Sequence, residues 1–266
     1  MQTKKDYLVR DCHDFTILSH YLACRDLSKL TKRSLYEACG IQQVDVILIA
    51  GNCLPITAKI AADAYHNGMA KGIFVAGGRG HTTDHLMQHI KKESAYQKIQ
   101  LTRNQSEAEI FQKIICQIYH VPKNVLLIES KSMNGGENAS ESLKKFKEVG
   151  RIPKTGILIQ DPTMQRRLAA SFQKEWQGIK TKWMNYAPFI PRLQVKDQIL
   201  TFQEDVSMGV HWEIEHYLSL LLGEIPRLIA YGPAGKNYIA EVDIPIEVVA
   251  AYQRLEKRYP QLIRTM

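Results

Sequence analysis

Four short apolar runs, each followed by small or polar residues and then by an amphipathic segment, constrain this chain more than any other feature. They are VDVILIA (44–50), GIFVA (72–76), NVLLIE (124–129) and GILIQ (156–160). Continuous apolarity over so few residues suits strands covered on both faces. Between them, apolar positions recur at helical spacing. One helix is expected from about Pro55, with proline near its first position and Gly68 placed to stop it. Leu86, Met87 and Ile90 mark the next, and Ser106 with Glu109 forms a capping box before EAEIFQKIICQIY. Leu143, Phe146 and Val149 mark another, and a fourth ends near Trp176. KTKWMNY (180–186) is a candidate fifth strand. Such alternation predicts an α/β fold of βαβ units on a mostly parallel sheet of about five strands.

The alternation divides the chain into three. Residues 1–40 hold two amphipathic helices that pack on the main domain, and 41–187 form the α/β domain. After Tyr186 the pattern fails at Pro188 and Pro191, so 188–266 read as a smaller helical C-terminal unit. Its helices are expected at about 209–222 and 246–258, joined by YGPAGKNY. Trp212 and Tyr217 read as the side by which the first of these docks on the main domain.

With 35 Lys and Arg against 27 Asp and Glu, the net charge is +8. The basic residues are scattered and no nucleic-acid motif accompanies them, so a solvated surface is the reading and no nucleic-acid partner is expected. Five cysteines (Cys12, Cys24, Cys39, Cys53, Cys116) form no CxxC pair, which fits a reducing compartment. No signal-like apolar region opens the chain, and no run approaches the roughly 20 residues that span a bilayer. A cytoplasmic location without a membrane segment is the expectation.

In a parallel sheet, ligands bind beyond the carboxyl ends of the strands. The residues there are unusually small or polar: Gly51 and Asn52 after the first run, Gly77, Gly78, Gly80 and His81 after the second. Ser132, Asn134, Gly136, Glu137 and Asn138 follow the third, and Asp161, Thr163, Arg166 and Arg167 follow the fourth. Any one loop alone reads better as a turn or cap. Four on one edge indicate a cleft for a small-molecule ligand. GGRGHT, opening a helix, offers backbone N–H groups to an anion. A dinucleotide G-x-G-x-x-G begun at Gly78 would need glycine at Thr83, and neither a P-loop nor a G-x-S-x-G elbow occurs.

The ordered set ILIAGN, FVAGGRGH, SEAEI, ESKSMNGGEN and IQDPTMQRR resembles the YdcF-like proteins, part of a wider family that includes the SanA and ElyC envelope proteins. The resemblance covers about residues 41–187 and continues through LSLLLGEIPRL and YGPAGKNYIAEVDIP. It implies a Rossmann-like three-layer α/β/α sandwich and a nucleotide-type ligand, S-adenosylmethionine. It carries functional positions onto Gly51, Asn52, Gly77, Gly78, Glu107, Asn134, Glu137, Asn138 and Arg167. Gly135 stands where the wider family usually has threonine, and Met164 where it has histidine.

Two functions follow as expectations. In the first, Gly77, Gly78 and Gly80 hold an anionic portion of a nucleotide-like ligand, Asn52, Asn134 and Asn138 bond its polar groups, and Arg167 adds charge-assisted contacts. In the second, Glu107, Glu137 and His81 support acid–base hydrolysis of a phosphorylated or glycosyl substrate. Glu107 and Glu137 also suit helix caps. His81, His85 and His89 recur every four residues, but at 1.5 Å rise the outer two lie about 12 Å apart, too far for one ion. No metal is expected, and His89 reads as solvated. Cys53 stands before a helix, where a thiolate is favoured, although a small buried residue is the commoner role.

Overall fold

The computed structural model describes residues 4–80, 82–203 and 212–263. Five strands, β1 (Val46–Ala50), β2 (Ile73–Ala76), β3 (Leu126–Glu129), β4 (Thr155–Ile159) and β5 (Lys182–Asn185), form one sheet. Its order is β3-β2-β1-β4-β5 and every neighbouring pair is parallel. The chain therefore steps outward from β1 to β3 and then returns to the other side of β1. That reversal between β1 and β4 is where a Rossmann-like sheet opens a crevice at its carboxyl edge.

Alternate residues of each strand serve different layers, because successive side chains leave a strand on opposite faces. Ile47 and Ile49 of β1, with Ile73 and Val75 of β2, join the core under α3 (Ile56–His66) and α5 (Glu107–Lys113). Val46, Leu48 and Ala50, with Phe74 and Ala76, face α6 (Gly135–Glu148) and α7 (Gln165–Glu175). The second face is aromatic: Phe74, Phe146, Trp176, Phe172 and Trp183 meet in sequence. Gly156 on β4 leaves room for this, since a methyl group there would overlap the Trp183 ring. The helix α4 (Thr83–Lys92) follows β2, and the capping box Ser106–Glu109 opens α5 as its sequence predicts. One π-helical turn, Ile114–Ile118, prolongs α5.

The outer units contain the two N-terminal helices and the 246–258 helix that the sequence predicts, and they add features it does not. Helix α1 (Lys4–Leu22) packs on α9 (Ile246–Arg258) and α8 (Ile214–Tyr231) as well as on α7, so helices from opposite parts of the chain meet, while α2 (Lys32–Cys39) follows it. The C-terminal unit also contains an antiparallel hairpin, β6 (Leu193–Lys196) and β7 (Ile199–Phe202), which turns through Asp197 and Gln198 at positive φ. Neither residue of that turn is glycine, so the usual hairpin signal is missing. The helix expected at 209–222 is α8. It continues through Pro226 to Tyr231, and residues 209–211 lie outside the described residues.

Candidate functional site

The glycines beyond β1 and β2 are small because protein atoms crowd them. None of Gly51, Gly77, Gly78 and Gly80 has positive φ. A methyl group at Gly51 would overlap the Glu107 carboxylate, and one at Gly78 would overlap the Ser132 carbonyl oxygen. Their N–H groups are engaged as well: Gly77 donates to Glu129 O at 2.9 Å and Gly78 to Ser132 O at 2.7 Å. Gly80 donates to Thr83 Oγ1 at 2.9 Å. The Gly77, Gly78 and Gly80 N–H groups of GGRGHT are therefore spent within the protein, the first two on the β3 side and the third on the start of α4. His81 lies outside the described residues.

Other expected ligand contacts also turn inward. Asn52 is buried, donating to Ala50 O and accepting from Leu54 N–H at 2.8 Å, which shapes the turn into α3. Asn138 is buried with its Oδ1 2.7 Å from Ser132 Oγ, beside Glu129. Asp161 accepts from Thr163 N–H and Oγ1 and from Met164 N–H, holding the turn into α7, and burial raises its pKa. Asn52 and Asp161 thus satisfy backbone groups that burial would leave unpaired, and Asn138 satisfies a buried hydroxyl.

The switch point itself is covered. Gln160 bridges β4 to β1 by donating to Gly51 O at 3.0 Å. Above it, α8 brings buried Tyr217 and the preceding Trp212, with ring centroids 5.3 Å apart, over the edge. Both thus dock as the sequence suggests. The Cys53 thiol faces Trp212, Asp161 and Glu107, and burial pushes its pKa up to about 12. That overturns the thiolate reading. His89 is buried as well, its Nδ1 2.6 Å from Cys53 O, so it is not solvated.

Glu107 sits where β1, β2 and α4 converge. Its Oε1 accepts from Thr82 Oγ1 at 2.6 Å and Thr83 Oγ1 at 3.0 Å, so the side chain does not cap α5. It is 5% exposed, and burial pushes its pKa up to about 7 against the pull of the two hydroxyls. A carboxyl group near neutrality at this edge can hold or release a proton.

Asn134, Glu137 and Arg167 share one open feature, a cleft of about 570 Å³ over the amino end of α6. Asn134 caps α6 by accepting from Glu137 N–H at 3.0 Å, and Glu137 reaches back to Met133 N–H at 2.7 Å. The capping role of Glu137 is realised. Arg167 is gripped by Glu224 of α8, Nε to Oε2 at 2.6 Å and Nη2 to Oε1 at 3.1 Å. Burial opposes its charge, but Glu224 overrides that and leaves its pKa raised. Nη1 takes no part in that grip, and it lies 3.8 Å from where a Gly135 Cβ would stand, at the first turn of α6. The far wall is Tyr231, Tyr238 and Ile239. Sequence reasoning missed these three and Glu224, because their partners lie about 60 positions away or more in the chain.

Among the described residues, no group of three or more His, Cys, Asp or Glu side chains is placed to hold a metal ion. No helix among them is long and apolar enough to cross a membrane. No family model matches the chain. Over 198 residues, 74% of this chain and 75% of the relative, it is 24% identical to the uncharacterised protein SCO4629 of Streptomyces coelicolor.

Proposed function

We propose that this chain is a small-molecule-binding α/β protein whose nucleotide-like ligand occupies the cleft over α6. The observation that carries this is the pairing of Arg167 Nη1 with the amino end of a 14-residue helix. The first two positions of that helix are glycines, whose N–H groups have no partner within the helix. Such a terminus favours phosphate or carboxylate, and the guanidinium adds charge. Tyr231 and Tyr238 on the opposite wall suit a planar base, while Glu175 suits an ammonium or sulfonium group. Membership in the YdcF-like group, and S-adenosylmethionine as the ligand, belong to the same proposal. Thermal melting with S-adenosylmethionine, S-adenosylhomocysteine, ADP and inorganic phosphate tests it. A shift with an adenosyl compound that vanishes in Tyr238→Ala, with unliganded melting unchanged, supports it. No shift across the panel overturns it.

A second reading rests on Glu107. A buried carboxyl group with a pKa of about 7 suits a general acid or base, so hydrolysis of a phosphoryl or glycosyl substrate is the alternative. In that reading Glu107 acts without Glu137, whose carboxylate is committed to the start of α6. Hydrolysis of p-nitrophenyl phosphate or p-nitrophenyl glycosides, lost in Glu107→Gln, would support it. Activity unchanged in that variant would remove Glu107 from the chemistry.

A further inference from the structure

A second opening lies at the opposite, amino edge of the sheet. It is a cleft of about 820 Å³ between the starts of β1, β2 and β3 and the carboxyl end of α6. A five-residue strand at roughly 3.3 Å per residue places it about 16 Å from the edge that carries Glu107. The residues that shape it do so for identifiable reasons. Gly150 closes α6 at φ 66°, and Arg151 N–H returns to Phe146 O at 3.1 Å. That cap satisfies the last carbonyls of the helix and swings Arg151 and Ile152 across the cleft. Asp45 then pins the segment, accepting from Lys154 N–H at 2.8 Å and Thr155 N–H at 3.1 Å, and from Lys71 Nζ at 2.7 Å.

Two properties of the lining point to one class of ligand. Its walls are apolar, with Phe74, Leu127 and Phe146 inside, and Val149 and Ile152 left 38% and 43% exposed at the mouth. Its charges are Lys71, Arg151 and Lys154 against Asp45 alone, and Asp45 is already committed to Lys71 and two backbone groups. The Arg151 guanidinium and the Lys154 ammonium stand at the rim of an apolar recess of a size that takes small molecules.

We infer that this amino-edge cleft is a second binding site, for an amphipathic anion with a carboxylate or phosphate head on an apolar body. The head meets Arg151 and Lys154, and the body lies on Leu127, Phe146 and Ile152. The site is separate from the cleft over α6 and does not depend on what that cleft binds.

The probes are decanoate and decyl phosphate, with decanol and decyltrimethylammonium as neutral and cationic counterparts, measured by isothermal titration calorimetry on the full chain. At least one anion should bind ten-fold or more tighter than both counterparts, and the tighter anion identifies the head. Arg151→Glu combined with Lys154→Glu should weaken it at least ten-fold, and Ile152→Asp by a similar factor. All three positions are at the surface, so unchanged melting of the variants certifies folding. Tyr238→Ala, in the other cleft, should leave this binding unchanged. Equal affinity for anion and cation, absence of binding, or full retention in the charge-reversed variant would overturn the inference. A loss in Tyr238→Ala would also overturn it, by moving the bound probe to the other cleft.

Discussion

Arg167 on α7 and Glu224 on α8 join the α/β layers to the C-terminal unit through two parallel hydrogen bonds, Nε to Oε2 at 2.6 Å and Nη2 to Oε1 at 3.1 Å. Their side chains are 15% and 5% exposed, so most of the solvation of both charges is lost on folding. Removing Glu224 leaves the Arg167 guanidinium without its carboxylate, whereas Glu224 also has Arg227 Nη1 at 3.9 Å. Glu224→Ala should cost roughly 3–5 kcal/mol, and Arg167→Lys less, because the ammonium keeps the charge and loses the fork. Chemical denaturation of each variant measures this, and a loss below 1 kcal/mol for Glu224→Ala would show the pair to be dispensable.

Two glycines should respond to substitution in opposite ways. Gly150 has φ 66° and nothing within 4 Å of a built Cβ, so Gly150→Ala should cost about 1 kcal/mol and Gly150→Asn less, since asparagine tolerates the left-handed region. Gly78 has ordinary φ, but a Cβ there would press on the backbone oxygens of Ser132 and Ser130. Gly78→Ala should cost roughly 1–3 kcal/mol or more, and Gly78→Asn should not recover it. Melting of the four variants decides between backbone strain and crowding.

Burial raises the Glu107 pKa from its ordinary 4.5 to about 7. Between those values the folded protein binds the proton and the unfolded chain does not. This group's contribution is therefore intact below about pH 4.5 and is lost as pH rises through 7. Glu107→Gln keeps an acceptor for Thr82 and Thr83 and removes the charge. The variant should gain on the native protein between pH 5 and pH 8, by up to about 3 kcal/mol. A pH-independent difference would mean that Glu107 is solvated.

Cys53 should be inert in the folded protein. Its pKa of about 12 leaves almost no thiolate at pH 8, and the side chain is 8% exposed. Peptide mapping after treatment with iodoacetamide should find Cys53 unmodified under native conditions and alkylated in denaturant. Native alkylation would restore the reactive reading.

Asn138→Ala should unsettle the fold as well as any binding. It removes the group 2.7 Å from Ser132 Oγ in a buried cluster with Glu129, at a cost of roughly 1–3 kcal/mol. Unchanged melting with lost ligand stabilisation would return Asn138 to the role that its sequence position suggests.

The layered α/β fold was legible from the chain because its signals are local. VDVILIA and GILIQ are apolar at every position that two covered faces require, and Ser106–Glu109 caps α5 wherever α5 packs. The candidate site was legible only as an edge. Gly78, Asn52 and Asn138 look like ligand contacts in sequence, since small and amide side chains after strands serve ligands and turns equally well. The structure assigns their groups to Ser132, Leu54 and the Glu129 cluster. What tertiary structure alone decided is which polar groups remain unspent. Glu224 takes two of the three guanidinium nitrogens of Arg167 from 57 positions away, and Trp212 and Tyr217 cover the switch point. No local pattern encodes a partner at that separation. A hydrogen bond is saturated only once the fold brings its acceptor within about 3 Å.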